Sequence, residues 1–321
     1  MSNCMSKVSL IITTFNRPHL LARAVESALQ AGGDLEVIVV DDGSSDETAS
    51  VCRSLDGIKY LRLDRNQGVA GARNVGLLES TGDFIAFLDD DDLRLPGSID
   101  LQGALLTADP AAGFVASAAV LADHNGILTG EVSTPRAQSG DVFWQALELN
   151  LFLLPATVLV RKSCFLELGL FNKRLAGIDD WDMWVRIAEV WPVVIDDHPV
   201  CVYRCAGPDS GQGSSALGKH LFVAVGHQRQ LLTLPRAQAA PASLRRAVRR
   251  DLKRRIADTL SWRAAEQLPL GSVRYAAMNV WTALRINPLW AVRPTHFRVM
   301  WRGLADKLRR ERGAPDATSI G

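Results

Sequence analysis

The sequence lacks any Cys-x-x-Cys pair, and its five cysteines are an odd number that a closed set of disulfides would not use. A reducing compartment is the simplest interpretation of this cysteine usage. The N-terminus also lacks the basic segment and apolar run of a secretory signal. The longest apolar stretch, Leu149–Val160, contains Asn150 and Pro155 and is too short to span a bilayer. We therefore expect a cytoplasmic protein.

The net charge is only +1 at neutral pH, but the charges are unevenly distributed. Residues 236–321 hold 18 Lys and Arg against 6 Asp and Glu, whereas residues 1–235 hold 18 against 29. An acidic part joined to a basic part suggests two surfaces that meet different partners. The segment Pro235–Pro241, rich in Ala and Pro, is the expected boundary between the two regions, 1–235 and 236–321.

Short apolar runs alternate with segments of helical spacing over the first hundred residues. Strands joined by helices in this rhythm form parallel crossovers. We therefore expect an α/β fold with a mostly parallel central sheet and helices on both faces. The four predicted strands are Val8–Ile12, Glu36–Val40, Tyr60–Leu63 and Phe84–Leu88.

Polar clusters follow the predicted strands, at the edge of such a sheet where ligands bind. The clusters Thr13–Arg17 and Asp41–Ser44 follow the first two strands, and four consecutive carboxylates, Asp89–Asp92, follow the fourth. Hard divalent cations such as Mg²⁺ or Mn²⁺ prefer oxygen ligands and often combine one or two carboxylates with substrate phosphates. We therefore expect a metal that bridges a diphosphate; the alternative is a solvated acidic loop.

Five segments, in order and spacing, resemble the family 2 glycosyltransferases of GT-A fold, a Rossmann-like architecture. The first four would supply the nucleotide-sugar half, about residues 1–100, and the fifth lies in the acceptor half, about 101–235. The basic region 236–321 would be a helical C-terminal appendage. The segments are Val8–Arg17 (VSLIITTFNR), Glu36–Thr48 (EVIVVDDGSSDET), Asn66–Leu77 (NQGVAGARNVGL), Gly82–Leu93 (GDFIAFLDDDDL) and Gly177–Ile187 (GIDDWDMWVRI).

The resemblance implies roles for residues at the strand ends. Asp42 would accept a hydrogen bond from the nucleotide base, although it could instead cap a helix at Ser44–Glu47. Arg73 would contact the nucleotide or diphosphate, with a structural salt bridge as the alternative. Asp91 would bind the metal directly, and Asp90 would face the ribose. The expected nucleotide-sugar-binding residues are Thr13, Phe15, Arg17, Asp42, Gly68, Arg73, Asp89 and Asp90.

Asp180 is the expected general base, because it matches the acidic catalytic motif that the resemblance implies. Trp181 and Trp184 keep helical spacing after it, so Asp180 lies at a helix N-terminus, which stabilises the ionised carboxylate. A carboxylate there can accept the proton of the acceptor hydroxyl. The alternative is that Asp180 and Asp182 only cap and neutralise the end of the helix.

The sequence departs from the family where a histidine often follows a Tyr-Arg pair and completes the metal shell. Here Tyr203-Arg204 is followed by Cys-Ala-Gly-Pro. His198 and His220 are nearby in sequence, but a lone histidine is more often structural. The segment Gly207–Gly218, rich in Gly and Ser, could close over the donor and metal, or could be a passive linker.

The basic region contains a predicted amphipathic helix over Ser243–Leu260. Apolar residues recur there every fourth position, and arginines crowd the rest of the surface. Such a helix can lie on an anionic membrane, with Trp281 among possible interfacial anchors. Alternatively, the apolar stripe packs on the catalytic domain and the charges are solvated. No nucleic-acid module accompanies the charge, so we expect no nucleic-acid partner.

These features together predict an inverting, metal-dependent, hexosyltransferase-like enzyme that uses Mn²⁺ or Mg²⁺. The donor would be a nucleotide-diphosphate sugar, with a UDP-sugar favoured. The acceptor would be a carbohydrate or a lipid-linked molecule in surface polysaccharide or glycoconjugate biosynthesis, with possible peripheral contact at the inner membrane face. The alternatives are a catalytically silent nucleotide-sugar-binding protein and a nucleotidyltransferase, although Thr13–Pro18 lacks the glycines of a triphosphate loop.

Overall fold

Apolar strands near the start of the chain build the parallel part of a mixed sheet. The computed structural model describes residues 6–149, 154–205, 214–267 and 273–289. The first strands lie in the order β3-β2-β1-β4, all parallel, so the predicted parallel crossovers are confirmed. They are β1 (Val8–Thr14), β2 (Leu35–Asp41), β3 (Ile58–Arg62) and β4 (Phe84–Asp89), connected by helices α1 (Pro18–Leu29), α2 (Thr48–Ser54) and α3 (Val69–Glu79).

Helices cover both faces of this parallel part of the sheet. Neighbouring side chains on β1 point to opposite faces, so each face can be followed through its own contacts. Leu10 and Ile12 belong to the same buried cluster as Leu21 of α1. Ile11, which faces the other way, meets α3 at Gly76, where a Cβ would lie 2.4 Å from the Ile11 Cγ2 atom. The predicted arrangement of helices on both faces is therefore confirmed.

The second part of the sheet mixes strand directions. Strand β8 runs antiparallel to β4 and to β6, whereas β6 and β9 are parallel. The full order is β3-β2-β1-β4-β8-β6-β9-β5, with β7 paired to β6. The added strands are β5 (Leu93–Arg94), β6 (Phe114–Ala122), β7 (Leu128–Ser133), β8 (Val158–Arg161) and β9 (Val193–Arg204), and the helices are α4 (Ser98–Ala108), α5 (Phe143–Leu147), α6 (Lys162–Leu168) and α7 (Asp179–Val190).

The short connection from β4 to β5 requires the sheet to curl. Only three residues separate these strands. In the strand order, however, β5 pairs with β9 and lies four positions away from β4. Four strand spacings in a flat sheet would measure about 19 Å, whereas four extended residues reach about 14 Å at most. Curling brings the end of β9 to the end of β4, and the backbone N–H of Arg204 donates to Asp92 Oδ1 at 2.9 Å.

A second compact unit follows the sheet, and its described residues form helices. Helices α8, α10 and α11 pack against one another, which confirms a helical C-terminal region. The predicted basic helix lies within α10, where Val248, Leu252, Ile256 and Leu260 are buried and Leu244 is exposed. The apolar stripe therefore belongs largely to a packed interior. The helices are α8 (Ser214–Leu231), α9 (Pro235–Ala239), α10 (Ala242–Gln267) and α11 (Val273–Ile286).

The two compact units divide between Gly207 and Pro208, earlier than the boundary inferred from composition at Pro235–Pro241. Helix α8 explains the difference, because Lys219 and Arg229 are its only Lys or Arg residues and composition did not group it with the basic helices. The assignment of 1–235 to catalysis and 236–321 to an appendage stays a prediction. Across the described ranges, no helix is both long enough and apolar enough to cross a membrane.

Candidate active site

The loop after β1 is fastened to the loop after β2 by Asn16. This residue has a φ of 53°, a left-handed conformation that asparagine tolerates better than most residues. Its backbone N–H donates to Ser44 Oγ at 2.9 Å, and its side-chain Oδ1 accepts from the N–H of Ser45 at 2.9 Å. Phe15, which is exposed, and Arg17 therefore flank a fixed turn. Sequence reasoning selected both of these residues but missed the asparagine that holds them.

Asp42 joins the end of β2 to the start of α3. The buried carboxylate accepts from the backbone N–H groups of Gln67 and Gly68 at 2.7 and 2.8 Å. Each oxygen keeps a second lone pair for a ligand N–H, and burial raises the pKa of the carboxyl. The alternative role as a cap at Ser44–Glu47 is wrong, because Asp41 accepts the N–H of Ser44 at 2.8 Å.

Gly68 and Thr13 occupy constrained backbone positions beside these carboxylates. Gly68 precedes α3 with a φ of 78°, where a side chain would be strained. Thr13 is buried near the end of β1, level with Val40 of β2 and Asp89 of β4. Both predicted nucleotide-binding residues thus lie at the same sheet edge as the acidic run.

Arg17 bridges two carboxylates of the acidic run Asp89–Asp92. Its Nη1 atom donates to Asp90 Oδ1 at 3.1 Å and to Asp91 Oδ2 at 3.0 Å. The hydroxyl of Thr14 donates to the other oxygen of Asp90 at 2.7 Å. The residues predicted after β1 and after β4 are therefore in direct contact.

The acidic run is largely buried, so the alternative of a solvated loop is wrong. Asp90 and Asp92 are only 4% and 2% exposed. Burial, with repulsion from neighbouring carboxylates, raises the pKa of Asp90 to about 6 and that of Asp92 well above its ordinary value. The carboxylates of this run outnumber the cationic side chains that contact them. The negative charge that remains favours the binding of a further cation.

The donor set of this cluster fits a hard divalent cation that shares its shell with phosphate. Asp91 retains 27% side-chain exposure, and Asp89 retains 28%, so both can meet a ligand. Among the described residues, no three His, Cys, Asp or Glu side chains are arranged to hold a metal by themselves. Mg²⁺ and Mn²⁺ commonly bind through one or two carboxylates plus substrate phosphates, which is what this arrangement offers.

Arg73 connects the acidic run to helix α7. Its Nη2 atom donates to Asp89 Oδ1 at 3.0 Å, and its Nη1 atom donates to Asp179 Oδ2 at 3.1 Å. The guanidinium is buried, with its centre 6.0 and 5.9 Å from the rings of Phe87 and Phe171. The alternative of a structural salt bridge therefore describes Arg73 here, and contact with a diphosphate stays a prediction.

The first turn of α7 presents Asp180 beside this bridge. One oxygen of the half-buried Asp180 accepts the N–H of Trp181 at 2.8 Å. Burial and the neighbouring Asp179 carboxylate raise the pKa of Asp180 to about 7, against the opposing effect of Arg73. The indole N–H of Trp181 donates to the carbonyl of Ala146 at 2.7 Å and fixes this turn to α5. Asp180 is thus a partly exposed carboxylate beside the Arg73 bridge, and its role as the general base stays a prediction.

Asp182 has a different role from Asp180, although both lie in the same helical turn. Asp182 accepts from Arg186 Nε at 2.9 Å, one turn later in α7. The same guanidinium donates to the carbonyls of Leu168 and Leu170 at 2.9 and 3.0 Å. Asp182 therefore belongs to a network that fastens α7 to the preceding segment, which is a structural role but not the helix-capping role that the alternative gave it.

The two histidines considered as extra metal ligands lie in different compact units. His198 is exposed and its Nδ1 atom lies 2.7 Å from Asp196. His220 lies in α8 of the second unit, and most of the segment Gly207–Gly218 falls outside the described residues. A histidine that completes a metal shell therefore stays a prediction without support from these contacts.

Two further contacts shape the site, and sequence reasoning did not identify them. The buried side chain of Asn74 exchanges a pair of 2.9 Å hydrogen bonds with the backbone of Phe171, which ties α3 to the loop before α7. Burial raises the pKa of Tyr203, and the nearby carboxylates of Asp92 and Asp89 in the acidic run raise it further. The Tyr203-Arg204 pair was the sequence signal that could have indicated this position of Tyr203. Sequence reasoning used the pair only to note that no histidine follows it.

Comparison with known proteins identifies the class of this domain. Residues 9–129 match the family described as Glycosyl transferase family 2. The matched range contains the strand ends, Arg73 and the whole acidic run. The chain therefore contains a family 2 glycosyltransferase domain, as the sequence resemblance predicted.

Particular relatives cover the chain only in part. A protein of Rickettsia felis named as an uncharacterized glycosyltransferase is 30% identical over 226 residues, which is 66% of this chain and 36% of that protein. The GalNAc(5)-diNAcBac-PP-undecaprenol beta-1,3-glucosyltransferase of Campylobacter jejuni is 48% identical over 101 residues, 30% of this chain and 33% of that protein. The chain thus spans about a third of the length of these two curated relatives.

Solved structures define the fold. A crystal structure of S. aureus TarS 1-349 in complex with UDP-GlcNAc matches with a TM-score of 0.53 and 15% identity, over 89% of this chain and 92% of that one. The same fragment in complex with UDP gives a TM-score of 0.53 at 18% identity. The GT-A fold expected from the sequence is confirmed.

Proposed function

We propose that this chain transfers a sugar from a nucleotide-diphosphate sugar to an acceptor hydroxyl, with inversion at the anomeric carbon. The family 2 domain supports this class of reaction. The observation that carries the proposal is the pair of hydrogen bonds from Arg73 to Asp89 and Asp179. Through this single side chain, the carboxylates at the end of β4 and the first turn of α7, which bears Asp180, become neighbours.

Asp180 acts as the general base in this mechanism. The acceptor oxygen attacks the anomeric carbon while its proton passes to the Asp180 carboxylate. The bond from the anomeric carbon to the diphosphate oxygen breaks, and its electron pair leaves with the nucleoside diphosphate. One displacement of this kind inverts the anomeric configuration. A carboxyl pKa near 7 suits a base at neutral pH, because it retains both ionised population and basicity.

Fixed positive charge near the acidic run can stabilise the leaving diphosphate. Arg17 already contacts Asp90 and Asp91 and has an exposed portion that can turn toward phosphate oxygens. Asp91 and Asp89 would hold the divalent metal, which when bound supplies Lewis-acid stabilisation of the diphosphate charge. Arg73 keeps the run and α7 in position while this charge develops.

A UDP-sugar is the favoured donor, and a lipid-linked or carbohydrate molecule is the proposed acceptor. The neighbouring TarS structure contains UDP-GlcNAc, and the Campylobacter jejuni relative is named for transfer to an undecaprenol-linked saccharide. The ExoU protein of Rhizobium meliloti, 30% identical over 205 residues, is named for succinoglycan biosynthesis and matches over 56% of each chain. These names favour a role in polysaccharide or glycoconjugate biosynthesis.

Sugar transfer by matched variants tests the proposal. Asp180→Asn should lower the transfer rate about 10²- to 10⁴-fold, the range for loss of a general base. Asp182→Asn is the control, because this carboxylate lies in the same turn but pairs with Arg186. Unchanged transfer by Asp180→Asn would remove it from the mechanism, and equal losses in both variants would indicate a disturbed helix.

Donor binding is measured separately from chemistry. UDP with Mn²⁺ should raise the melting temperature of the wild type and of Asp180→Asn alike, because a ligand stabilises the state that binds it. A thermal shift without transfer by the wild type, with any of the acceptors tested, favours the silent nucleotide-sugar-binding alternative. Release of pyrophosphate from a nucleoside triphosphate and a sugar phosphate favours the nucleotidyltransferase. Absence of any shift with nucleoside diphosphates would make the donor-site assignment wrong.

A further inference from the structure

Helix α11 has a buried face and an opposite face that remains uncovered by the described residues. On the buried face, Ala276, Asn279, Ala283 and Ile286 are 4% exposed or less. Four of the exposed residues recur at intervals of four, three and four, so they form one stripe along the helix. We call these residues the α11 stripe: Arg274, Met278, Trp281 and Arg285.

The α11 stripe is apolar in the middle and cationic at both ends. Trp281 is 64% exposed and Met278 is 45% exposed. Large apolar side chains in that position lose the stabilisation that burial would give. Contiguous exposed apolar surface commonly marks an interaction site. Met278 and Trp281 therefore favour a partner that has an apolar layer.

The apolar surface continues onto helix α8 through a stacking contact. The guanidinium of Arg285 lies 4.7 Å from the centroid of the Phe222 ring. Phe222 and its neighbour Val223 are both 41% exposed. Because Met278 is not aromatic, this surface gains more from an acyl layer than from the stacked bases that bind aromatic platforms.

Charge limits the partner to an anionic one. Residues 214–267 and 273–289 contain 13 Lys and Arg against 3 Asp and Glu. Anionic lipid headgroups attract the basic residues of such a unit when they lie near the membrane surface. Tryptophan favours the boundary between headgroups and acyl chains, and arginine can extend toward the headgroups. The layered chemistry of the α11 stripe matches that boundary.

The buried apolar stripe of α10 cannot serve the same purpose in this fold. Val248, Leu252, Ile256 and Leu260 are at most 2% exposed. Insertion of that stripe into lipid would require α10 to separate from α8 and α11, which pack against it. The basic residues of α10 can add long-range attraction, but this buried stripe does not supply the apolar contact.

We propose that the α11 stripe, together with Phe222, docks this protein on an anionic lipid surface. Trp281 and Met278 enter the interfacial layer, while Arg274 and Arg285 contact lipid phosphates at either end. This contact requires no sugar transfer and therefore goes beyond the proposed function. A lipid-linked acceptor would nevertheless lie in the same surface.

Vesicle flotation with the full chain tests the proposal. The wild type should bind vesicles of phosphatidylglycerol and phosphatidylcholine, and bind phosphatidylcholine alone much more weakly. Trp281→Ala should weaken binding to the anionic vesicles about tenfold or more, as expected for one large apolar side chain removed from a buried position. Brominated lipids should quench part of the tryptophan fluorescence of the vesicle-bound wild type. The Trp281→Phe variant should lack the part of this quenching that comes from Trp281.

A matched pair of charge reversals separates the α11 stripe from general basicity. Arg274→Glu should weaken vesicle binding more than Arg246→Glu, which changes an exposed arginine of α10 by the same charge. Equal losses would overturn the assignment to α11 and leave diffuse attraction. Acrylamide should quench the fluorescence of Trp281 in the lipid-free protein. If residues 290–321 or a second copy of the chain shield Trp281 from acrylamide, the proposal is also overturned.

Two further outcomes distinguish this proposal from its rivals. Stronger binding to single-stranded RNA than to anionic vesicles, weakened by Trp281→Ala, would replace the lipid partner with RNA. Transfer to a water-soluble acceptor should be unchanged in Trp281→Ala, because no catalytic role is assigned to it. Loss of vesicle binding with retained transfer supports the docking role, whereas transfer absent from the wild type counts only against the proposed function.

Discussion

Replacement of Arg73 by methionine should destabilise the first compact unit strongly. Arg73→Met keeps apolar bulk near Phe87 and Phe171 but removes both hydrogen bonds to carboxylates. The Asp179 side chain, only 2% exposed, would then be a buried charge without this cation. Removal of one partner from a buried ion pair costs about 3–5 kcal/mol, and we expect the lower part of that range because Asp89 is 28% exposed.

Thiol labelling in urea can measure this effect on the first unit alone. All five cysteines precede the division at Gly207, and Cys52, Cys164 and Cys201 are buried. A short pulse of thiol reagent therefore reports opening of that unit without a contribution from the second. Arg73→Met should move the labelling transition to lower urea with little change in its slope.

Two controls decide whether the buried charge is the cause. Lys59 and Glu79 form a 2.6 Å pair, shorter than either contact of Arg73, but their side chains are 41% and 48% exposed. Lys59→Met should therefore cost no more than about 1 kcal/mol. Asp179→Asn in the Arg73→Met background should recover part of the loss. Full additivity of the two changes, or a loss for Arg73→Met as small as that for Lys59→Met, would refute the reasoning.

The remaining predictions concern pH, packing and metal affinity. Since the pKa of Asp180 is raised to about 7 and the base must be ionised, kcat/KM should increase with pH through about 7; a flat profile from pH 5 to 8, with chemistry rate-limiting, would contradict this. Gly76→Ala should cost about 1–3 kcal/mol in the thiol-labelling assay, because its Cβ would lie 2.4 Å from Ile11 Cγ2, and this cost should be smaller in an Ile11→Ala background, which lacks Cγ2, if this contact is responsible. Arg17→Gln should tighten Mn²⁺ binding in the absence of donor, measured by electron paramagnetic resonance, because it frees carboxylate oxygens now bonded to a guanidinium; weaker or unchanged binding would mean that Arg17 does not compete with the cation.

Local patterns were sufficient to predict the parallel part of the sheet and the place of the acidic run. Apolar runs such as Val8–Ile12 and Phe84–Leu88 give strands wherever the surrounding chain supplies crossover helices. The carboxylates of Asp89–Asp92 follow such a run directly, so their position at the strand end required no long-range information. The same reasoning placed Asp180 in the first turn of a helix.

Long-range partners could not be predicted from the sequence. Arg73 meets Asp179, which is 106 residues away, and a guanidinium on a helix carries no sign of which carboxylate it will reach. Asp41 and Asp42 are chemically equivalent neighbours, and only the backbone conformation where β2 ends at Asp41 decides which of them faces Ser44. The position of β8 between β4 and β6 was equally hidden, because a short apolar run does not encode strand direction.

The connection between β4 and β5 fixes the length of the acidic segment. Asp90–Asp92 is tethered at one end to β4 and at the other to β5, whose partner β9 also holds Asp92 through Arg204. Mutual repulsion therefore cannot be relieved by lengthening the loop, as it could in a free acidic tail. The protein therefore holds these carboxylates close together before a metal cation binds, much as an ion-exchange resin holds its fixed charges, and the curled sheet serves as the rigid matrix.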